Sequence, residues 1–370
     1  MTSEVEKGSQ RHQVFPVNGG EDELSYKHNS YILKKGVDAF GVFIKEGILE
    51  KLDIDQAITS PTSPQAFNIV DMGCAVGANT LTAVQNVVDS VNLKLRSQGL
   101  DHHSKTLEFQ VFFNDLISSD FNTVFRSIPS DKSYYAAGVP GSFYSRLFPK
   151  SSLHFVYCGY SLHWLSKVPE GVADESSPAY NKGKIYWTTS PKEVAEAYKA
   201  QFERDIDAFL TARSLEVVPH GLIAFSIVSV PPDSKCITPT LFELMGNVLL
   251  EMAAVGLITE EKVNSFNFPV YLPTPPQLEA LIRRNPNFTL ERMEPLIRPR
   301  EYLLNPDFPH QIVKHYRAVL EGLFSDHFGT EIINILFDRF EKKFKESSVF
   351  LDLSYKQTIE SFVLLKRKSY

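Results

Sequence analysis

Phe67-Asn-Ile-Val-Asp71-Met-Gly73-Cys-Ala-Val-Gly77-Ala-Asn79 is the stretch on which the fold turns. Its first five residues form a short apolar run of buried-strand type, and the glycines end it. Asn79–Leu95 follows with helical spacing, since Leu81, Val84, Val87, Val88, Val91 and Leu95 fall on one side. A strand, a glycine turn and a helix in that order open a unit of parallel sheet.

The rest of the chain extends this pattern. Val37–Leu52 reads as a preceding helix, joined to the first strand by a Pro/Ser/Thr linker at Thr59–Pro64. Glu108–Phe113, Leu153–Tyr157 and Leu222–Val230 read as further strands. Ser190–Leu215 is a long helix with Val194, Tyr198, Phe202, Ile206 and Phe209 inward. The expected fold class is α/β, with a mostly parallel central sheet covered on both faces. After Pro231 the rhythm becomes helical, at Leu241–Leu257, Gln277–Arg284 and Gln311–Lys345, and Glu360–Lys366 returns as a strand. The organisation expected is a flexible tail over 1–20, a ligand-binding core over 21–234, a helical cap over 235–320 and a return to the core over 321–370.

Composition narrows the class. The chain has 370 residues, of which 43% are hydrophobic, so a sizeable core can form. Its net charge of −6 comes without a basic run, which argues against nucleic acid, because phosphate binding needs clustered Lys and Arg. Cys74, Cys158 and Cys236 lie far apart, which fits a reducing compartment and neither a disulfide scaffold nor a zinc site. No signal-peptide core or membrane-length run is present, so a cytoplasmic setting without membrane attachment is expected.

Ligands of open α/β sheets bind beyond the carboxyl ends of the strands, where Asp71–Asn79 sits. The glycine spacing there is GxxxG; the GxGxxG fingerprint and the phosphate-loop Lys are missing. A nucleoside without phosphates fits better than a dinucleotide, and S-adenosylmethionine is one. Its ammonium suits Asp71. Its ribose diol suits Asp115 at the end of the next strand, since two hydroxyls can donate to one carboxylate. Taken alone, the same residues also read as a helix-start Asp and two turn glycines.

The wider pattern is more specific. Gly19-Gly-Glu21, Ser25-Tyr26-x-x-Asn29-Ser30, Asp71–Asn79, Phe113-Asn-Asp115-Leu116 and Asp120-Phe-Asn122 occur in order. They are followed by Gly138-Val-Pro-Gly-Ser142-Phe143-Tyr144-x-Arg146-Leu-Phe-Pro149, Tyr160-Ser-Leu-His163-Trp164-Leu-Ser-Lys-Val-Pro169, Asn181-Lys-Gly183, Phe266-Asn267-x-Pro269 and His327-Phe-Gly329. This series spans nearly the whole chain and resembles the plant SABATH methyltransferases. They comprise the salicylate, benzoate, jasmonate and loganate carboxyl methyltransferases and the caffeine-pathway N-methyltransferases. The resemblance implies a Rossmann-like methyltransferase sheet with a helical cap, a homodimer and a small-molecule acceptor. It implies cofactor contacts from Tyr26, Ser30, Asp71, Gly73, Cys74, Asn79, Asp115, Leu116, Ser142 and Phe143. It places Tyr160, His163 and Trp164 around the acceptor, with the Trp164 indole donating to the substrate carboxylate. Asn181, Asn264, Phe266 and Asn267 match a magnesium position of some members. Asn264 stands there where Asp is usual, and hard cations prefer carboxylates, which argues against a metal.

One departure bears on the acceptor. The carboxyl methyltransferases usually carry Gln three residues after the Asn-Ser pair, as the second half of the carboxylate clamp; here that residue is Leu33. Losing a hydrogen bond to a charged group costs about 1.5–3 kcal/mol unless something replaces it, and the His163 imidazole is the candidate. The leading expectation is methyl-ester formation on a small, fairly apolar acid. An acid is already ionised at neutral pH, so no general base or covalent nucleophile is needed. The alternatives are N-methylation of a purine-like alkaloid, in which His163 would orient the ring or take a proton, and a catalytically silent ligand-binding relative.

Overall fold

The computed structural model describes residues 15–54, 66–100, 106–298, 303, 305–347, 349 and 351–369. The Thr59–Pro64 linker and residues 1–14 of the expected tail lie outside them. The chain enters through α1 (Tyr26–Asn29) and α2 (Tyr31–Lys51) and then builds the sheet. The sheet-forming part runs β1 (Ala66–Met72), α3 (Ala78–Ser97), β2 (Glu108–Asp115), α4 (Phe121–Ser127), β3 (Tyr135–Pro140), β4 (Leu153–Gly159), α5 (Lys192–Glu216) and β5 (Val217–Ser229). It continues as α6 (Ile237–Ala254), α7 (Glu260–Ser265), α8 (Pro275–Arg284), β6 (Phe288–Leu296), α9 (Phe308–Phe328), α10 (Ile333–Glu346) and β7 (Ile359–Arg367).

The seven strands lie in the order β3-β2-β1-β4-β5-β7-β6. The first five run parallel, and β7 is antiparallel to both β5 and β6. Parallel strands buried on both faces need apolar runs; Phe155–Cys158 supplies one, and in Phe67–Val70 the one polar residue, Asn68, donates to the Ser152 carbonyl. One face packs on α2 and α3 through Phe40, Ile44, Val84 and Val88. The other packs on α5 through Tyr198, Phe202, Ile206 and Phe209. Strand order reverses between β1 and β4, so the turns after these two strands flank the crevice where open α/β sheets hold ligands.

A third apolar cluster belongs to the cap. Met245 and Leu249 of α6 pack with Phe324 of α9 and with Phe337 and Phe340 of α10. The expected α/β class with a helical cap is what the chain adopts. Four details differ. The cap's core runs through α10, past the expected boundary at 320. The stretch 235–320 also contains β6, an edge strand of the sheet, which alternation missed because Glu291, Arg292, Glu294 and Pro295 interrupt its apolar residues. β3, the other edge strand, is half-exposed and was not foreseen either. The single helix expected at Gln311–Lys345 is two, divided at Gly329, whose φ of 102° stops α9. Among the described residues no helix is long and apolar enough to cross a membrane.

A buried ion pair ties α5 to the loop after β3. Arg213 and Glu216 have no exposed side-chain surface, and their atoms meet at 2.7 Å. Glu216 Oε1 accepts the backbone N–H groups of Leu147 at 2.5 Å and Phe148 at 2.9 Å. Arg213 donates to the carbonyls of Phe143 at 2.7 Å and Ser145 at 2.8 Å. Removing one partner of such a pair strands a charge in the interior. Arg213→Met is therefore expected to cost about 3–5 kcal/mol of stability, measured by urea unfolding. The double change Arg213→Met/Glu216→Leu should recover part of that loss. A loss below about 1 kcal/mol for the single change would show that the pair does not anchor the loop.

Candidate active site

A cavity of about 530 Å³ opens over the carboxyl ends of β1, β2 and β4 and under the cap, a volume usual for a small-molecule site. One part is made by the sheet's loops. After β1 the chain turns at Gly73 with φ of +75°. A Cβ there would lie 2.3 Å from Ser161 Oγ and 3.4 Å from the Phe143 ring, so only glycine leaves this wall open. Gly77, at φ of +114°, lets the backbone of Lys27 come within 3.1 Å of where a Cβ would be, which seats α1 on the loop. Asp115, at the end of β2, faces the same cavity. Its oxygens accept from Ala75 N, Leu116 N and Ser119 Oγ at 2.5–2.7 Å. A carboxylate has about four acceptor positions, so one remains for a ligand hydroxyl.

Of the ten expected cofactor contacts, Tyr26, Gly73, Asp115, Leu116, Ser142 and Phe143 reach the wall. Asp71, Cys74, Asn79 and Ser30 are not among the lining residues and sit directly beside that wall. Asp71 is buried in β1 and accepts Thr80 Oγ1 at 2.5 Å, because its side chain turns under the first turn of α3. Asn79 Nδ2 donates to the Ser30 carbonyl at 3.0 Å, which fixes the α1–α2 junction to the loop. Cys74 is buried in the core beneath the turn. The end of the expected tail is likewise ordered into the site. Gly20 N donates to Asp120 Oδ2 at 2.9 Å and Asn18 N to the Ala318 carbonyl at 2.7 Å, so Phe15–Val17 close over the cavity.

The electrostatics of this part favour a cation. Burial pushes the Asp71 carboxyl up to about 7, with Thr80 opposing and Asp115 adding to the rise. Burial also raises Asp115, against its hydrogen bonds. Burial first, and then these two carboxylates, hold the Tyr26 phenol above its usual range. The glycine-lined wall and the two buried carboxylates fit S-adenosylmethionine, whose sulfonium and ammonium are positive and whose ribose offers two hydroxyls.

The other part of the cavity is apolar, lined by Leu241, Phe242, Phe268 and Val270 from the cap side and by Leu33 of α2. Tyr160, His163 and Trp164, all expected here, line it together. Tyr160 takes φ of +55°, with its N–H bonded to the Ser226 carbonyl at 2.9 Å. Trp164 is bridged to Val270, and Tyr144 Oη donates to its carbonyl at 2.6 Å. No acceptor among the described residues takes the Trp164 indole N–H. Burial drives the His163 imidazole down to about 4, so it is neutral at physiological pH, and its buried Nδ1 has no partner among the described residues. Unpaired buried polar atoms are uncommon in folded proteins, and this one lies next to Trp164 on a cavity wall.

Several liners had no signal in the sequence. Ile312, His315 and Val319 of α9 face the cavity, but their helical spacing reads as ordinary core. Arg298 and Glu360 come from two distant segments that only the fold joins. Asn181, Asn264 and Asn267 form a hydrogen-bonded knot. Asn181 Oδ1 accepts Ser190 Oγ at 2.6 Å, Asn267 Oδ1 accepts Asn181 Nδ2 at 2.9 Å, and Asn264 Oδ1 accepts Gly183 N at 2.9 Å. Phe266 packs between Phe324 and Phe328. Each side-chain oxygen is already engaged and none is a carboxylate, so these residues do not fit a hard cation.

Comparison with known proteins agrees with the geometry. Residues 12–368 match the family model described as SAM dependent carboxyl methyltransferase. A loganic acid O-methyltransferase of Catharanthus roseus is 42% identical over 361 residues, covering 96% of this chain and 95% of that protein. A caffeine synthase 1 of Camellia taliensis is 36% identical over 345 residues, covering 89% of this chain and 90% of that protein. A solved loganic acid methyltransferase with S-adenosylhomocysteine superposes with a TM-score of 0.89 at 41% identity, covering 96% of this chain and 99% of that one.

The two raised carboxyls make cofactor binding pH-dependent. A cation bound beside them lowers their pKa values, so below about pH 7 binding must expel a proton. Affinity for S-adenosylmethionine should therefore rise as pH goes from 5.5 to 7, and Asp71→Asn should flatten the rise. Calorimetry in two buffers of different ionisation enthalpy measures the released proton; equal heats in both would contradict this electrostatic reading.

Proposed function

The chain belongs to the S-adenosylmethionine-dependent carboxyl methyltransferase family, and from that premise we propose that it forms the methyl ester of a small, fairly apolar carboxylic acid. The observation that carries this reading is the unpaired Trp164 indole N–H beside a neutral His163, in a cavity wall that is otherwise largely apolar. The cofactor, when bound, supplies an already activated methyl group. The protein's task is then to hold an ionised acceptor in line and to keep water out. Trp164, carried by the Tyr144 hydrogen bond and the Val270 bridge, donates to one carboxylate oxygen. His163 supplies a second donor through one ring nitrogen and so takes the place that Leu33 leaves vacant. Leu33, Phe242, Phe268 and Val270 cover the apolar body of the acid and exclude solvent. Alignment of this kind can contribute several kcal/mol to the barrier. The acid needs no deprotonation, so no general base is required, and a neutral His163 keeps one ring N–H to donate to the carboxylate.

The loganic acid relative acts on an acid by its name, which supports the ester reading. Leu33 and the caffeine synthase relative favour ring-nitrogen methylation as the second reading. The homodimer rests on the family resemblance alone, and the cytoplasmic setting on the three scattered cysteines.

Trp164→Phe keeps the ring and removes the donor. It should raise the KM for acid acceptors by roughly 10- to 150-fold, the equivalent of about 1.5–3 kcal/mol, while cofactor affinity stays within about twofold. An unchanged KM would sink the carboxylate clamp. Leu33→Gln restores the missing donor, and tighter binding of small aromatic acids such as salicylate is expected in titrations. Unaltered affinity would mean that Leu33 does not face the carboxylate.

A further inference from the structure

Arg298, Glu360 and Tyr160 form a charged cluster on the cavity wall. Glu360 stands at the start of β7, paired in register with Val228 of β5 and Leu296 of β6. Arg298 lies two residues beyond β6. It donates through Nε to Glu360 Oε1 and through Nη1 to the Ile32 carbonyl, while Tyr160 Oη donates to Glu360 Oε2. All three residues line the acceptor cavity, and the Arg298 and Glu360 side chains keep 17% and 9% of their surface open. Gly36 of α2 makes the cluster possible, since a Cβ there would lie 1.8 Å from Tyr160 Oη and 2.4 Å from Glu360 Oε2. The helix therefore carries its smallest residue where the cluster presses against it.

We propose that Glu360, neutralised by Arg298 and joined by the Tyr160 phenol, is a hydroxyl-binding subsite that orients the acceptor. This rests on the carboxyl-methylation reading and narrows its substrate class to hydroxylated acids. The direction of the hydrogen bonds carries the argument. The phenol proton is committed to Glu360, so the Tyr160 oxygen offers lone pairs to the cavity. Each Glu360 oxygen accepts one protein donor and has room for a second. The cluster is thus rich in acceptors and takes an O–H donor. A second carboxylate would face Glu360 as a like charge and is disfavoured there. Trp164 and His163 offer donors to the cavity, and Tyr160 and Glu360 offer acceptors. A hydroxy acid matches both sets, with its carboxylate at the indole and its hydroxyl at Glu360. Gln357 and Thr358, next to Glu360 in the chain, extend the polar stretch.

The test measures affinities in the protein saturated with S-adenosylhomocysteine, by calorimetry. The probes are cyclohexanecarboxylate, its 3- and 4-hydroxy derivatives, and neutral cyclohexane-1,3-diol. At least one hydroxy acid should bind roughly 10-fold or more tightly than the plain acid, the advantage of one hydrogen bond to a charged group. In Glu360→Met/Arg298→Met that ratio should fall to about one. Tyr160→Phe, which leaves the ion pair in place, should reduce it in part and serves if the double variant does not bind S-adenosylhomocysteine. Equal affinity of plain and hydroxylated acids in the unaltered protein overturns the subsite and leaves carboxyl methylation standing. Binding of the diol in a Glu360-dependent way, with none of the acids, overturns carboxyl methylation and leaves the subsite standing.

Discussion

The buried Arg213–Glu216 pair is the constraint on which the site depends. Neither group can meet water, so both must be satisfied within the protein. They do so by gripping the backbone between Phe143 and Phe148. That grip sets the Phe143 ring 3.4 Å from where a Cβ on Gly73 would be, and it sends Tyr144 Oη to the Trp164 carbonyl. Cofactor wall and acceptor wall are thus fixed from one point at the end of α5. A charge pair of this kind adds little to stability against an apolar replacement; what it contributes here is the position of a loop that has no secondary structure of its own.

Charge is distributed unevenly along the cavity. The β1–β2 part holds two carboxylates whose ionisation burial opposes. The part beside Trp164 holds no ionised group of its own, because His163 is neutral. The third charged element, Arg298 with Glu360, is balanced within itself. A cationic cofactor and an anionic acceptor therefore meet walls that differ in the sense each requires. With both reactants charged beforehand, proximity and dehydration suffice for transfer.

Much of this was legible in the sequence because short-range rules govern it. The Phe67–Asp71 run, the glycines after it and the heptad-like face of α5 each announce their element. The ordered motifs from Gly19 to Gly329 pointed to the cofactor and to Tyr160, His163 and Trp164. Two kinds of feature were hidden. Edge strands β3 and β6 lack a clean alternation, since only part of each is buried. Contacts set by long-range packing were also out of reach. Asp71 and Asn79 carry motif positions, but their partners, Thr80 and the Ser30 carbonyl, follow from the packing of α1 and α3 on the loop. Arg298 and Glu360, 62 residues apart, meet only once β6 and β7 pair.

The central claim is that the methyl group goes to a carboxylate oxygen, and the chemical fate of that methyl group tests it most directly. The protein is incubated with methyl-labelled S-adenosylmethionine and a set of cyclic acids and xanthines, and the labelled product is treated with mild base. An ester releases its label as methanol, which is the result this account predicts. Label that stays on the product through base treatment would place the methyl group on nitrogen and contradict it.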